Sequence, residues 1–165
     1  MRQRARLAVL AVAILGVSAC GPSVDLIAVL KIDSLSTGWS DAGYADGLNK
    51  ITPSISFRLT NASSVVLGPL HMNAVFRQVG RTSEWSARFV PVAGSSGLQP
   101  GKSMTLNLTS DLGYTSFDPV EDMLVNTHFL DADVDVFARY GSSQWIRLAR
   151  YRIDRHLLNA SVGTP

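Results

Sequence analysis

At 165 residues the chain is long enough for one domain with a sizeable apolar core. Its one cysteine excludes an intramolecular disulfide, so stability has to come from packing. Lys plus Arg (15) nearly balances Asp plus Glu (13), and nothing in that balance suggests nucleic acid, which usually demands a basic patch.

The chain opens with Arg2, Arg4 and Arg6, followed by the apolar run Leu7 to Leu15 and then Gly16, Val17, Ser18, Ala19 and Cys20. A positive start, a short apolar stretch and small residues at its exit define a secretory signal. The uncharged stretch from Leu7 to Ala19 has 13 residues. A helix needs ~20 to cross a bilayer core, so this segment is not a membrane span. Val17-Ser18-Ala19-Cys20 resembles the lipobox of bacterial lipoproteins, over the first 21 residues or so. The resemblance implies cleavage before Cys20, a diacylglyceryl group on its sulfur and an acyl group on the new N-terminus. Several acyl chains at ~0.8 kcal/mol per buried methylene anchor a protein stably, where one is marginal. The alternative is an ordinary cleaved signal with a chance cysteine. In that family an Asp after the cysteine commonly signals inner-membrane retention, so Gly21 favours the outer membrane, facing the periplasm. The expected organisation is a signal peptide at 1–19, a short tether at 20–24, a domain at 25–158 and a flexible tail at 159–165. Loss of residues 1–19 removes three Arg and no acid, leaving 12 basic against 13 acidic residues.

The remainder reads as β-rich, with short alternating runs of Val, Ile, Leu, Phe and Thr between Gly, Pro, Ser and Asn clusters. Asp25 to Ser34 is a predicted strand, and Leu35 to Thr52, with Gly38, Gly43 and Gly47, a predicted loop. Pro53 to Asn61 alternates cleanly, with Ile55, Phe57 and Leu59 on one face. Asn61-Ala62-Ser63-Ser64 is a turn. Further strands are predicted at Leu70–Val79, Trp85–Val92 and Ser103–Thr109, the last after the turn Leu98 to Lys102. Asp118 at the N-cap, Pro119 at the first helical position and Glu121 and Asp122 behind them predict one short helix.

The last two runs, Ala132–Tyr140 and Trp145–Asp154, flank Gly141-Ser142-Ser143-Gln144. A hairpin centred on Ser142-Ser143 sets Val136 against Ala149, Val134 against Tyr151 and Tyr140 against Trp145. Its other face sets Asp135 against Arg150 and Asp133 against Arg152. One register thus places apolar against apolar and acid against base, and a slip of one residue loses both.

Seven short strands predict a mainly β fold, an antiparallel β-sandwich with one short helix. The stretch from Ile55 through Thr109, with Leu59-Thr60-Asn61 and Leu98-Gln99-Pro100-Gly101, resembles the immunoglobulin-like accessory modules of bacterial envelope proteins. It lacks the Cys-Trp-Cys pattern of antibody domains. The resemblance implies an adhesive or scaffolding module and assigns no functional residue.

Catalytic constellations are not legible. There is no G-x-S-x-G elbow, and Gly94-Ser95-Ser96-Gly97 has the composition of a plain turn. His71, His128 and His156 lack paired-ligand spacing, and His128-Phe129-Leu130-Asp131 is the best metal fragment. Asp131, Asp133 and Asp135 share a strand face, but pairing with Arg150 and Arg152 explains them better than calcium does. Asn61, Asn107 and Asn159 fit the glycosylation acceptor pattern by coincidence. Neither a metal nor a cofactor is expected.

The candidates for interaction are Trp39 and Tyr44 in the first long loop, Tyr114 in the aromatic loop Gly113–Phe117, and Arg147 and Arg155 at the basic C-terminal end. Trp39 has two readings, recognition or folding down onto the core. The basic end fits anionic headgroups or an acidic partner, and equally a solvated, ion-paired edge strand. The leading expectation is a tethered, non-enzymatic module that docks onto an envelope protein. The runner-up is a carrier or sensor of a small apolar ligand such as a lipid, which requires an enclosed apolar cavity of a few hundred Å³. An enzyme comes last.

Overall fold

The computed structural model describes residues 24–158. The predicted signal peptide (1–19), Cys20 and the predicted tail (159–165) lie outside the described residues.

Asp25 opens the domain. Its carboxylate accepts from the N–H of Ile27 (3.0 Å) and caps α1, the single turn Leu26–Val29. The predicted first strand therefore begins later than expected, because an N-capping Asp offers the next amides a helical start. β1 then runs Leu30–Ala45 and β2 runs Leu48–Asn61. The predicted loop from Leu35 to Thr52 is thus a long antiparallel hairpin. Its turn is Asp46-Gly47, with φ of +53° and +80°. Positive φ at both central residues is the type I′ geometry that Asp-Gly favours.

A bulge hid this hairpin in the sequence. Ile32 pairs with Leu59 and Trp39 with Pro53, with a register shift between Asp33 and Ser36. The extra residue reverses the parity of inward positions, so Leu30 and Trp39 both reach the core although one is even and the other odd.

The other strands are β3 (Leu70–Gln78), β4 (Ser86–Ala93), β5 (Ser103–Thr109), β6 (Tyr114–Ser116), β7 (Ala132–Tyr140) and β8 (Ile146–Arg152). β1, β2 and β5 form one antiparallel sheet, with β6 also on β2; the second sheet has the order β4-β3-β7-β8. The fold is mainly β, an antiparallel β-sandwich. Among the described residues the predicted seven strands become eight, because β6 continues β5 along β2 after an interruption. β5 ends with Thr109 opposite Ser54, and β6 begins with Tyr114 opposite Ile51. The four residues between them face only two of β2, and buried Ser110 holds the kink by donating to the Leu112 carbonyl at 2.6 Å.

The two sheets close on a dry interior. Trp39, Ile55, Phe57 and Leu108 from the first meet Leu70, Met72, Phe76 and Val134 from the second, all 0–1% exposed. After β8 the chain leaves the second sheet and straps onto the first. The Trp39 amide donates to His156 O (2.9 Å), and the Leu158 amide donates to Trp39 O (2.8 Å). Gly38 is required here, because a Cβ on it would fall 2.8 Å from Leu158 and 3.0 Å from His156 O.

Among the described residues two short helices replace the predicted one. The second, α2, covers Val120–Met123 with Pro119 as its N-cap, in place of the expected Asp118. Asp118 is occupied locally: its carboxylate accepts from Ser116 Oγ at 2.7 Å, and its amide donates back to Ser116 Oγ at 3.0 Å.

The C-terminal hairpin has the predicted register over Asp133–Arg152, Val134–Tyr151, Asp135–Arg150 and Val136–Ala149. A bulge then sets Phe137 against Arg147 and Ala138 against Ile146, which moves Trp145 out of register with Tyr140, so the expected Tyr140–Trp145 pair does not form.

Candidate functional site

The outer face of the β4-β3-β7-β8 sheet gathers the unusual surface chemistry. Alternation points Leu70, Met72, Ala74 and Phe76 of β3 into the core, so His71, Asn73, Val75 and Arg77 lie on the outer face. The same rule sends Asp133, Asp135, Phe137 and Arg139 of β7 outward. The cross-strand pairs His71–Arg139, Asn73–Phe137 and Arg77–Asp133 set these two rows side by side.

One end of this face is aromatic. Phe89 on β4 is 51% exposed. Its ring stacks on His71 (5.5 Å between centroids, 23° between planes) and meets Trp145 edge-on at 6.2 Å. Arg139 lies over the Trp145 ring at 4.8 Å. Phe89 and Trp145 come from the flanks of the sheet and close over β3 and β7. Beneath them, His71 Nδ1, Asn73 Oδ1 and Arg139 Nε are buried without a hydrogen-bond partner among the described residues. Unpaired buried polar atoms cost stability, and most protein interiors avoid them.

The other end is charged. Asp135 is 3% exposed and accepts from Arg150 Nε and Nη2 (both 2.8 Å), from Arg147 Nη1 (3.4 Å) and from Arg77. The Arg150 guanidinium holds the Asp135 carboxyl below the usual carboxylate range, against the opposing effect of burial. Asp133 accepts from Arg152 Nε at 2.7 Å. Asp131 accepts from Arg155, whose guanidinium also donates to Phe129 O (3.1 Å) and lies 5.1 Å over the Phe129 ring. The three alternating aspartates are therefore arginine partners, as their spacing suggested.

Of the interaction candidates from the sequence, Trp39 and Tyr114 come together in the core with Arg155 close by across Phe129, while Tyr44 and Arg147 lie apart from them. Trp39 is 0% exposed, so of its two readings the structure takes the core one. It packs against Trp85, Tyr114 and Phe129 with centroids 4.7–6.4 Å apart. Tyr114, half-buried in strand β6 rather than in a loop, accepts from Gln78 Nε2 (2.8 Å) and donates to Leu130 O (3.2 Å); burial pushes its phenol pKa up. Tyr44 is 70% exposed near the tip of the β1–β2 hairpin, on the same strand as buried Trp39 and in the sheet opposite Arg147. Arg147 and Arg155 belong to the charged end. Phe89, His71, Asn73, Arg139 and Trp145 were missed. The sequence places Phe89 inside one predicted strand and Trp145 at the start of another, but nothing in it says that they meet.

Among the described residues no group of three or more His, Cys, Asp or Glu could hold a metal ion. Among the described residues no helix is long and apolar enough to cross a membrane. A cleft of about 160 Å³ beside α2 is lined by Tyr114, Met123 and Phe129 together with Ser116, Asp118, Asn126 and His128. A second cleft, of about 440 Å³, lies at the charged end of the outer face and is lined mainly by Arg and Asp. Neither has the enclosed apolar form that a lipid carrier requires.

No protein-family model matches the chain, and no curated protein matches it. It is similar to a solved structural genomics target at 11% identity, covering 85% of this chain and 95% of that one, with a TM-score of 0.45. It is also similar to a Bordetella pertussis protein given the name ApaA, at 11% identity over 75% of this chain and 91% of that one, with a TM-score of 0.41. The ligand-binding region of serine-glutamate repeat protein A of Enterococcus faecium aligns at 13% identity over 70% of this chain and 88% of that one, with a TM-score of 0.28. Likeness at this level assigns neither a site nor an activity.

Proposed function

We propose that the chain is a membrane-tethered, non-enzymatic accessory module of a bacterial envelope. Acylated Cys20 would hold it at the membrane, and the outer face of the β4-β3-β7-β8 sheet would dock onto an envelope protein. The observation that carries the docking is the Phe89–Trp145 bridge over His71 and Arg139. Half-exposed Phe, Trp and Arg set together have the composition of interface anchors. The unpartnered polar atoms beneath them favour a role other than stability. The tether rests on the Arg2–Cys20 segment and its likeness to lipoprotein signals.

The test is a photo-crosslinking residue placed at Phe89 in the full chain in living cells, with another at exposed Val125 for comparison. Capture of one envelope protein from position 89 and not from 125 supports docking; equal capture or none sinks it. Labelling with a palmitate analogue, beside Cys20→Ala, tests the tether. Label that survives Cys20→Ala removes Cys20 as the anchor.

A further inference from the structure

The charged end of the same face has more guanidinium than its carboxylates use. Arg77, Arg81, Arg147 and Arg150 line the cleft of about 440 Å³ together with two carboxylates, Asp133 and Asp135. Asp133 is also engaged by Arg152 from outside it. An ion-paired sheet edge needs about one cation per carboxylate, yet buried Asp135 gathers three. Both of its oxygens are saturated: Oδ1 takes Arg150 and Arg147, and Oδ2 takes Arg77 and Arg150.

That arrangement does two things. It fixes the Arg77 and Arg150 guanidiniums at the wall of the cleft, with Arg147 held more loosely at 3.4 Å, so for the first two little side-chain entropy remains to be lost on binding. It also leaves most of their donors free, since each guanidinium carries five N–H groups and these contacts use only one or two of them. Arg81, exposed on the β3–β4 loop, has no carboxylate partner among the described residues. The cleft volume falls in the ~300–1,000 Å³ range of ligand sites, but Phe137 is its one large apolar side chain. Such a lining selects a charged ligand over an acyl chain.

We infer that this cleft binds a phosphate-bearing anion, with Arg81 and Arg147 supplying direct contacts and Asp135 acting as the organiser that holds Arg77 and Arg150 in place. Guanidinium forks match phosphate oxygens in pairs, and charge-assisted bonds of this kind are the strong ones. The phosphate could belong to a lipid headgroup or be free, and the two differ in charge and substitution.

The test is calorimetric titration of the full chain in detergent micelles at low ionic strength, where surface charge is least screened. The probes are inorganic phosphate and glycerophosphoglycerol, the soluble headgroup of an anionic phospholipid. The variant is R81Q/R147Q, which spares both 2.8 Å bonds from Arg150 to Asp135. The control is K31Q/K102Q, an equal loss of charge at exposed lysines outside the cleft lining. Wild type should bind at least one probe, with affinity falling about tenfold or more in R81Q/R147Q and within about twofold in the control. Preference for glycerophosphoglycerol assigns a headgroup, and preference for phosphate assigns a free anion. No binding of either probe below about 10 mM, or equal losses in variant and control, overturns the site.

Discussion

Asp135 and Arg150 face each other across β7 and β8 and share two hydrogen bonds of 2.8 Å, one carboxylate oxygen to Nε and the other to Nη2. The carboxylate is buried while the guanidinium stays half in water. Arg150 lowers the folded-state pKa of Asp135 below its unfolded value of about 4. The resulting stabilisation is fully present above that unfolded value and is lost as pH falls through the folded one. Stability attributable to this group is therefore flat from pH 8 to 5 and declines below about pH 4. Asp135→Asn should cost about 2 kcal/mol at pH 7, a figure reduced for the exposure of the arginines, and should make the acid limb shallower. Urea unfolding at pH 7 and at a series of acid pH values measures both.

The strap from His156 to Leu158 closes over Gly38 of β1. Gly38→Ala places a methyl 2.8 Å from Leu158 and 3.0 Å from a backbone carbonyl, so the strap must shift. The expected cost is about 1–2 kcal/mol. Amide exchange should accelerate at Trp39 and Leu158, whose N–H groups bond across this junction, while β3 and β7 stay protected. Unchanged exchange at both amides would contradict the strap's dependence on Gly38.

Asn61 looks like an ordinary turn residue in the sequence, yet it is 0% exposed. Its Nδ2 donates to Val65 O and Leu98 O (both 2.8 Å), and its Oδ1 accepts from the amide (2.9 Å) and hydroxyl (2.7 Å) of Ser63. Asn61→Ala strips several groups of partners at once and should cost about 3 kcal/mol. Thermal unfolding of that variant beside Asn107→Ala, at an exposed strand position, gives the comparison; equal melting temperatures would refute the network's role.

Phe89→Ser separates docking from folding. The ring is half exposed and packs on His71 and Trp145, away from the core cluster. Stability should change by no more than about 0.5 kcal/mol. Capture of an envelope partner through a probe at the neighbouring Trp145 should fall sharply. A large loss of stability would mean that the aromatic bridge serves the fold.

Most strand positions were legible because alternation survives wherever one face is buried and the ladder is regular. Ser103–Thr109 is found where the sequence places it. The pairing of Asp133 and Asp135 with Arg152 and Arg150 follows from a short hairpin, where turn and register constrain each other. The Asp46-Gly47 turn was legible too, and would have disclosed the first hairpin.

By itself the sequence determined the β class, the local register of the last hairpin and the identity of the segments that could pair. Tertiary structure decided the rest, because a period of two says which residues share a face but not which face is inside or which strand lies alongside. The bulge between Asp33 and Ser36 turned Trp39 inward. The kink at Ser110 separated β6 from β5. Packing of β3 against β7 brought Arg77, distant in sequence, to Asp135, and the closing of both sheet flanks brought Phe89 to Trp145. The aromatic end, and the Arg77 and Arg81 side of the charged end, are products of long-range strand pairing, which no local pattern encodes.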